Sequence, residues 1–130
     1  MWLLDASAFV KLLKNEPESM ELWRWIRGRQ LVSSDLLRTE VRRAVAGQPV
    51  EVRGYCEEML EWIPKIRLVS TVLDLAGILT IRQLRSLDAI YLACALRLGN
   101  DLSGIVSYDT RQLAAAEELG IQTRSPGSVH

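Results

Sequence analysis

Asp5, Glu40, Asp88 and Asp109 are four carboxylates from distant parts of a 130-residue chain, each in a setting that could aim it at a shared site. Asp5 closes the apolar run MWLLD, and Asp109 closes LSGIVSYD. Asp88 heads the stretch LRSLDAIYLACALRLGN among Leu87, Ile90, Tyr91 and Leu92, side chains that favour leaving water. Glu40 lies in SDLLRTEVRRAVAG with Leu36, Leu37, Val41 and Ala44 at helical spacing, so it falls on or beside a buried face. Crowded carboxylates repel, and one or more must take up a proton unless a cation joins them. Mg²⁺ and Mn²⁺ prefer carboxylate oxygen and water, and Mg²⁺ keeps waters that a phosphate can displace. Such a site polarises a phosphoryl oxygen and makes hydroxide available near neutral pH. Phosphodiester hydrolysis is the reaction that fits this donor set.

Each acid also has a plainer use. Asp5 before ASAF and Asp109 before TRQL can cap helices. Asp88, two residues after a Ser86 cap, can complement the helix dipole, and Glu40 can snorkel to the surface. Asp35, read as a cap, and Asp74, read as helix surface, serve as comparisons; Asp101 is a minor loop candidate. The only histidine is the last residue, His130. That excludes Ser-His-Asp and Cys-His catalysis, His-ligated zinc and paired-histidine nucleases.

The elements that must position the acids follow from the hydrophobic pattern. MWLLD, QLVSS, KIRLVS and LSGIVSYD read as strands, with IQTR a short fifth. Between them, helices are expected over ASAFVKLLK, PESMELWRWIRG opened by Pro17 and closed by Gly28, SDLLRTEVRRAVAG started by Ser34 or Asp35, VEVRGYCEEMLEWI, TVLDLAGIL, the Asp88 stretch after a turn, and TRQLAAAEELG. The fourth of these puts Val52, Cys56, Met59, Leu60 and Ile63 on one stripe. Alternating strands and helices imply an α/β fold with a mostly parallel sheet. In such sheets ligands collect outside the carboxyl ends of the strands. Asp5 and Asp109 end strands at that edge, and the helices bearing Glu40 and Asp88 begin there. Glu40, about five residues past the cap, would sit roughly 7 to 8 Å down its helix.

The length suits one domain over residues 1–130 with a real core. Sixteen bases balance sixteen acids, so net charge does not point to nucleic acid. Only Lys11, Lys14 and Lys65 are lysines; the other bases are arginines, whose planar fork suits phosphate or carboxylate. Cys56 and Cys94 stand alone, which reads as a reduced, cytoplasmic protein. The expectation is no membrane span and no signal peptide.

These motifs together resemble those of PIN-domain ribonucleases, specifically VapC-type toxins of toxin–antitoxin pairs. LLDASAFVKLL is similar to the family's opening, LRTEVRRA to its second segment, LRSLDAIYLACAL to its most recognisable run and IVSYDTRQLAAAEELGI to its last. The resemblance covers nearly the whole chain and implies a three-layer α/β/α fold with a parallel sheet of four to five strands. It implies a Mg²⁺- or Mn²⁺-dependent endoribonuclease with Asp5, Glu40, Asp88 and Asp109 in the acidic site. Asp5 and Asp88 would be direct metal ligands, Asp109 next, and Glu40 a water or second-metal partner. Ser7 and Ser107 match hydroxyl positions that hold carboxylates or water.

The resemblance also implies an RNA substrate, a cognate antitoxin and a homodimer. Arg38, Arg42, Arg85 and Arg111 are candidates to hold the RNA backbone, with surface ion pairing as the alternative. Met20, Leu22, Trp23, Trp25 and Ile26 wrap more than one face of their helix, and Tyr55 and Trp62 lie off the core stripe of theirs, which suggests a partner surface. Two rivals are a phosphatase or phosphoaspartate receiver and a non-catalytic interaction module. The phosphatase pattern wants an acid where Ser7 stands, and both phospho-readings want a late lysine, which this chain lacks.

Overall fold

Five short parallel strands, in the order β3-β2-β1-β4-β5, form the sheet that carries the acids. The computed structural model describes residues 1–81 and 83–128. His130 lies outside the described residues, as does Arg82 in the turn expected before the Asp88 helix. The strands are β1 (Trp2–Leu4), β2 (Leu31–Ser34), β3 (Lys65–Ile66), β4 (Gly104–Val106) and β5 (Thr123–Arg124). The helices are α1 (Ala6–Leu13), α2 (Ser19–Ile26), α3 (Leu37–Ala44), α4 (Val50–Trp62), α5 (Ser70–Ile78), α6 (Ser86–Arg97) and α7 (Thr110–Glu118).

Successive side chains of a strand point to opposite faces, and that alternation builds three layers. Leu4, Leu31 and Val106 join the core made by α1 to α4, while Leu3, Val32 and Ile105 join the core made by α5, α6 and α7. The predicted α4 stripe is present: Cys56, Met59, Leu60 and Ile63 are buried, with Val52 packed against them. The chain winds outward from β1 to β3, then returns to β4 on the other side of β1. The winding therefore reverses between β1 and β4, and the crevice beyond their carboxyl ends is where such sheets bind ligands.

Several boundaries differ from the sequence reading, each for a local reason. The strand expected over KIRLVS pairs only at Lys65 and Ile66, at the sheet edge. Pro17 does not open α2 directly; Ser19, bonded to both Glu16 and Lys14, does. Ser34 belongs to β2, and its hydroxyl accepts the Leu36 N–H at 3.1 Å. Asp35 does not cap α3 as expected but pairs with Arg38 Nε at 3.1 Å. Because α3 starts at Leu37, Glu40 is its fourth residue and lies nearer the strand-end edge than expected. Ser86 is the first residue of α6 rather than its cap, so Asp88 is not part of a Ser86 capping arrangement.

Gly104 in β4 has a use that its sequence context did not announce. A Cβ there would meet the Gln122 carbonyl oxygen and the Trp2 ring, both at 2.5 Å. The Gln122 side of that contact is backbone and cannot step aside. Gly104→Ala should therefore destabilise the protein by about 1–3 kcal/mol, the usual cost of overpacking. Urea unfolding would read it, and an unchanged midpoint would show the contact to be softer than it looks.

Candidate active site

Asp5 ends β1 and caps α1, the geometry an aspartate adopts when its side chain replaces a missing helical carbonyl partner. It is only 4% exposed. Its Oδ1 accepts the Ser7 hydroxyl at 2.6 Å and the Ala8 N–H at 3.1 Å, and its Oδ2 accepts the Ser107 hydroxyl. Ser7 Oγ in turn accepts the Tyr108 N–H at 2.8 Å, and Ser107 Oγ accepts the Asp109 N–H at 3.1 Å. The two serines thus lock the β1–α1 and β4–α7 connections onto one carboxylate.

Those hydrogen bonds favour the ionised form of Asp5, yet burial outweighs them. The carboxyl is pushed up to about 6, first by removal from water and further by the negative charge of Asp109. Asp109 caps α7, its Oδ1 accepting the Arg111 N–H at 2.9 Å and the Gln112 N–H at 3.4 Å. The capping use of Asp5 and Asp109 is real, and it fixes their orientation rather than competing with a site.

Asp88 is the third residue of α6, half-buried. Burial raises its pKa, the charge of Asp109 raises it further, and Arg85 and Arg111 pull it back. Glu40 is raised first by burial, a hydrogen-bonding interaction with Tyr91 pulls it back, and the charge of Asp88 raises it further. The four acids therefore form one electrostatically connected group: Asp5 feels Asp109, Asp109 acts on Asp88, and Asp88 acts on Glu40. The comparison acid Asp74 is exposed on α5, and Asp101 is exposed, its backbone carbonyl accepting the terminal ammonium.

The group is loose. Among the described residues, no three His, Cys, Asp or Glu side chains stand together as a ready-made ion cage. Hydrated Mg²⁺ does not need one, since it is commonly held through one or two carboxylates plus water and substrate phosphate. The donors are all hard oxygen, and among the described residues Oε1 of Glu40 is buried without a hydrogen bond of ordinary geometry. A buried carboxylate oxygen without an ordinary partner, among acids whose charges push up Asp5, Asp88 and Glu40, fits a hard divalent cation.

The arginines divide. Arg42 grips Glu57 through two nitrogens at 3.0 and 2.8 Å, and Arg38 pairs with Asp35, so both follow the surface-pairing alternative. Arg85 and Arg111 are exposed and act on Asp88. Tyr91, read from sequence only as an apolar neighbour of Asp88, is 2% exposed, and among the described residues its hydroxyl makes no hydrogen bond of ordinary geometry, though it lies within reach of Glu40. Its i+3 spacing from Asp88 was the signal that could have found it. An apolar hollow of about 400 Å³ lined by Met1, Gln30, Trp62 and Pro64 opens at the amino ends of the strands, away from the acids.

The family profile of the PIN domain matches residues 2–118. Ribonuclease VapC46 of Mycobacterium tuberculosis is 45% identical over 124 residues, covering 95% of each chain. Among solved structures, M. tuberculosis VapC20, described as a sarcin–ricin loop cleaving toxin, superposes with a TM-score of 0.78 at 13% identity over 97% of this chain and all of its own. A toxin–antitoxin complex from Klebsiella pneumoniae superposes with a TM-score of 0.74 at 16% identity, covering 97% of this chain and 98% of its own. At those identities the two structures speak to the fold alone, whereas the sequence matches span nearly the whole chain. The chain belongs to the PIN domain family and, within it, to the VapC group.

Proposed function

We propose that this protein is a divalent-cation-dependent endoribonuclease, the toxin of a toxin–antitoxin pair. The observation that carries the reading is the buried Asp5 at the β1/β4 switch point, pushed up to about 6 and facing Asp109 in the group that also includes Asp88 and Glu40. Relatives named as ribonucleases support the same reaction class. A phosphoaspartate mechanism is disfavoured because Lys11 is held by Glu16 and Glu18, and Lys65 by the Leu60 and Ile63 carbonyls.

In the mechanism we infer, Asp5 and Asp88 would hold Mg²⁺ or Mn²⁺, with Asp109 as a third donor. When bound, the cation supplies Lewis acidity toward a phosphoryl oxygen and makes water a better nucleophile. Ser7 and Ser107 keep both Asp5 oxygens in place. Glu40 orients the attacking water, and Arg85 and Arg111 hold the RNA backbone. In-line attack leaves 5′-phosphate and 3′-hydroxyl ends. Single-stranded loops, whose bases are open to reading, are the substrate form expected.

Partners follow from exposed apolar groups. Met20, Tyr55 and Trp62 are exposed on α2 and α4, the face we assign to the cognate antitoxin. Val69, Leu73, Ile78 and Leu87, exposed around α5 and the start of α6, are the patch we assign to a second copy of the chain. Among the described residues no helix is long and apolar enough to cross a membrane, and Cys56 and Cys94 are free, consistent with work in the cytoplasm.

The test is RNA incubated with Mn²⁺ or Mg²⁺, with and without EDTA, using wild type and Asp88→Asn. Cleavage should require both the ion and Asp88, giving fragments with 5′-phosphates. Identical fragments after chelation and in the variant would refute the reading.

A further inference from the structure

Among the described residues, Oε1 of Glu40 on α3 and Oη of Tyr91 on α6 are buried at the acid group without a hydrogen bond of ordinary geometry. Each offers what the other lacks, since a phenol carries a proton to donate and a carboxylate only accepts. Tyr91 sits one turn beyond Asp88, on the same face of α6. Its ring packs in the core between α6 and the sheet, and its polar tip is what remains unsatisfied. A buried tyrosine hydroxyl ordinarily finds a partner, so this one invites an explanation.

The surroundings identify the intended partner. Burial keeps the phenol neutral, the charge of Glu40 and a hydrogen-bonding interaction with its carboxylate reinforce that, and Asp5 adds to it, so the hydroxyl retains its proton within reach of Glu40. Glu40 meanwhile faces the negative charge of Asp88. A cation held by the acids would relieve that repulsion. The Tyr91 hydroxyl and the Glu40 carboxylate already lie close enough to interact, and a bound cation would tighten that contact toward about 2.5–2.7 Å, the distance of O–H···O⁻ pairs.

We propose that Tyr91 is a positioning residue for Glu40: its hydroxyl takes Oε1 when a divalent cation is bound and leaves Oε2 turned toward the other acids. The inference rests on the ribonuclease reading above. It assigns Tyr91 no contact with substrate. It also accounts for a phenol, rather than a purely apolar ring, at the inner end of the acid group.

The experiment compares wild type, Tyr91→Phe, Glu40→Gln and the double variant. Tyr91→Phe keeps the ring and removes one oxygen. Mn²⁺ affinity, by calorimetric titration of the protein without RNA, should fall about tenfold, the lower end of the range for groups that orient metal ligands. The kcat on an RNA oligonucleotide should fall by a similar factor, with KM within about twofold of wild type. Melting temperature without metal should be equal to or above wild type, because an unsatisfied buried hydroxyl has been removed. In the Glu40→Gln background, Tyr91→Phe should add nothing to either loss.

Unchanged Mn²⁺ affinity and kcat in Tyr91→Phe would overturn the proposal, as would the same loss in both backgrounds. A fall in metal-free melting temperature would show a structural role and overturn it too. If wild type itself neither binds Mn²⁺ nor cleaves RNA, the ribonuclease reading falls and takes this one with it. If wild type does both and Tyr91→Phe is indistinguishable from it, only the role of Tyr91 falls.

Discussion

Asp5→Asn is expected to abolish RNA cleavage while leaving the metal-free protein at least as stable as wild type. A catalytic cation supplies several kcal/mol of transition-state stabilisation, and about 4 kcal/mol is roughly a thousandfold in rate. Loss of its most buried ligand should therefore cost at least about that factor. Stability moves the other way. Asp5 is 4% exposed and its pKa is pushed up to about 6 by burial and by Asp109. An asparagine keeps an acceptor oxygen for the Ala8 N–H and Ser7 hydroxyl without bringing a charge. Rate and stability would both be measured, the second by urea unfolding in EDTA. A large loss of stability at neutral pH would instead mean that Asp5 serves mainly to cap α1.

The pH dependence of metal-free stability should run opposite to ordinary acid denaturation. A carboxyl whose folded pKa is raised binds its proton more tightly in the folded state. Its stabilising contribution is present below the unfolded pKa and is lost as pH rises through the folded one. For Asp5 the window runs from the ordinary carboxylate value of 3.8 to about 6. At about 1.4 kcal/mol per pKa unit, this group costs the folded protein about 3 kcal/mol once pH is well above that window. Wild type and Asp5→Asn should therefore have similar stabilities near about pH 4 and separate by about 2–3 kcal/mol near about pH 7.5. Asp88 and Glu40, both raised, act in the same direction. Cation binding displaces the protons, so cleavage should climb about tenfold per pH unit below about pH 6 and level off above it. Two curves that stay parallel across the window would contradict this picture of Asp5.

The alternation of apolar strands and helices made the layered α/β fold legible, because Leu3 and Leu4, or Ile105 and Val106, must part to opposite faces. The acids were legible as strand ends and helix starts. Three features were hidden for physical reasons. The start of α3 depends on Ser34 remaining in the sheet and Asp35 turning to Arg38, a competition between local hydrogen bonds that residue type does not decide. The tight fit at Gly104 depends on Trp2 and Gln122, one of which lies 102 residues away. The orphaned hydroxyl of Tyr91 depends on Glu40 arriving from another helix, and a pattern that marks tyrosine as core cannot show what its oxygen meets.

The central claim is that Asp5, Asp88, Asp109 and Glu40, brought to one strand-end crevice, are reconciled by a shared cation. Anomalous diffraction from crystals of the wild-type protein soaked in MnCl₂ tests it most directly. A manganese peak is expected at coordination distance from Asp5 and at least one other of these carboxylates. A peak bound elsewhere, or none at saturating Mn²⁺ with the four acids pointing apart into solvent, would contradict it.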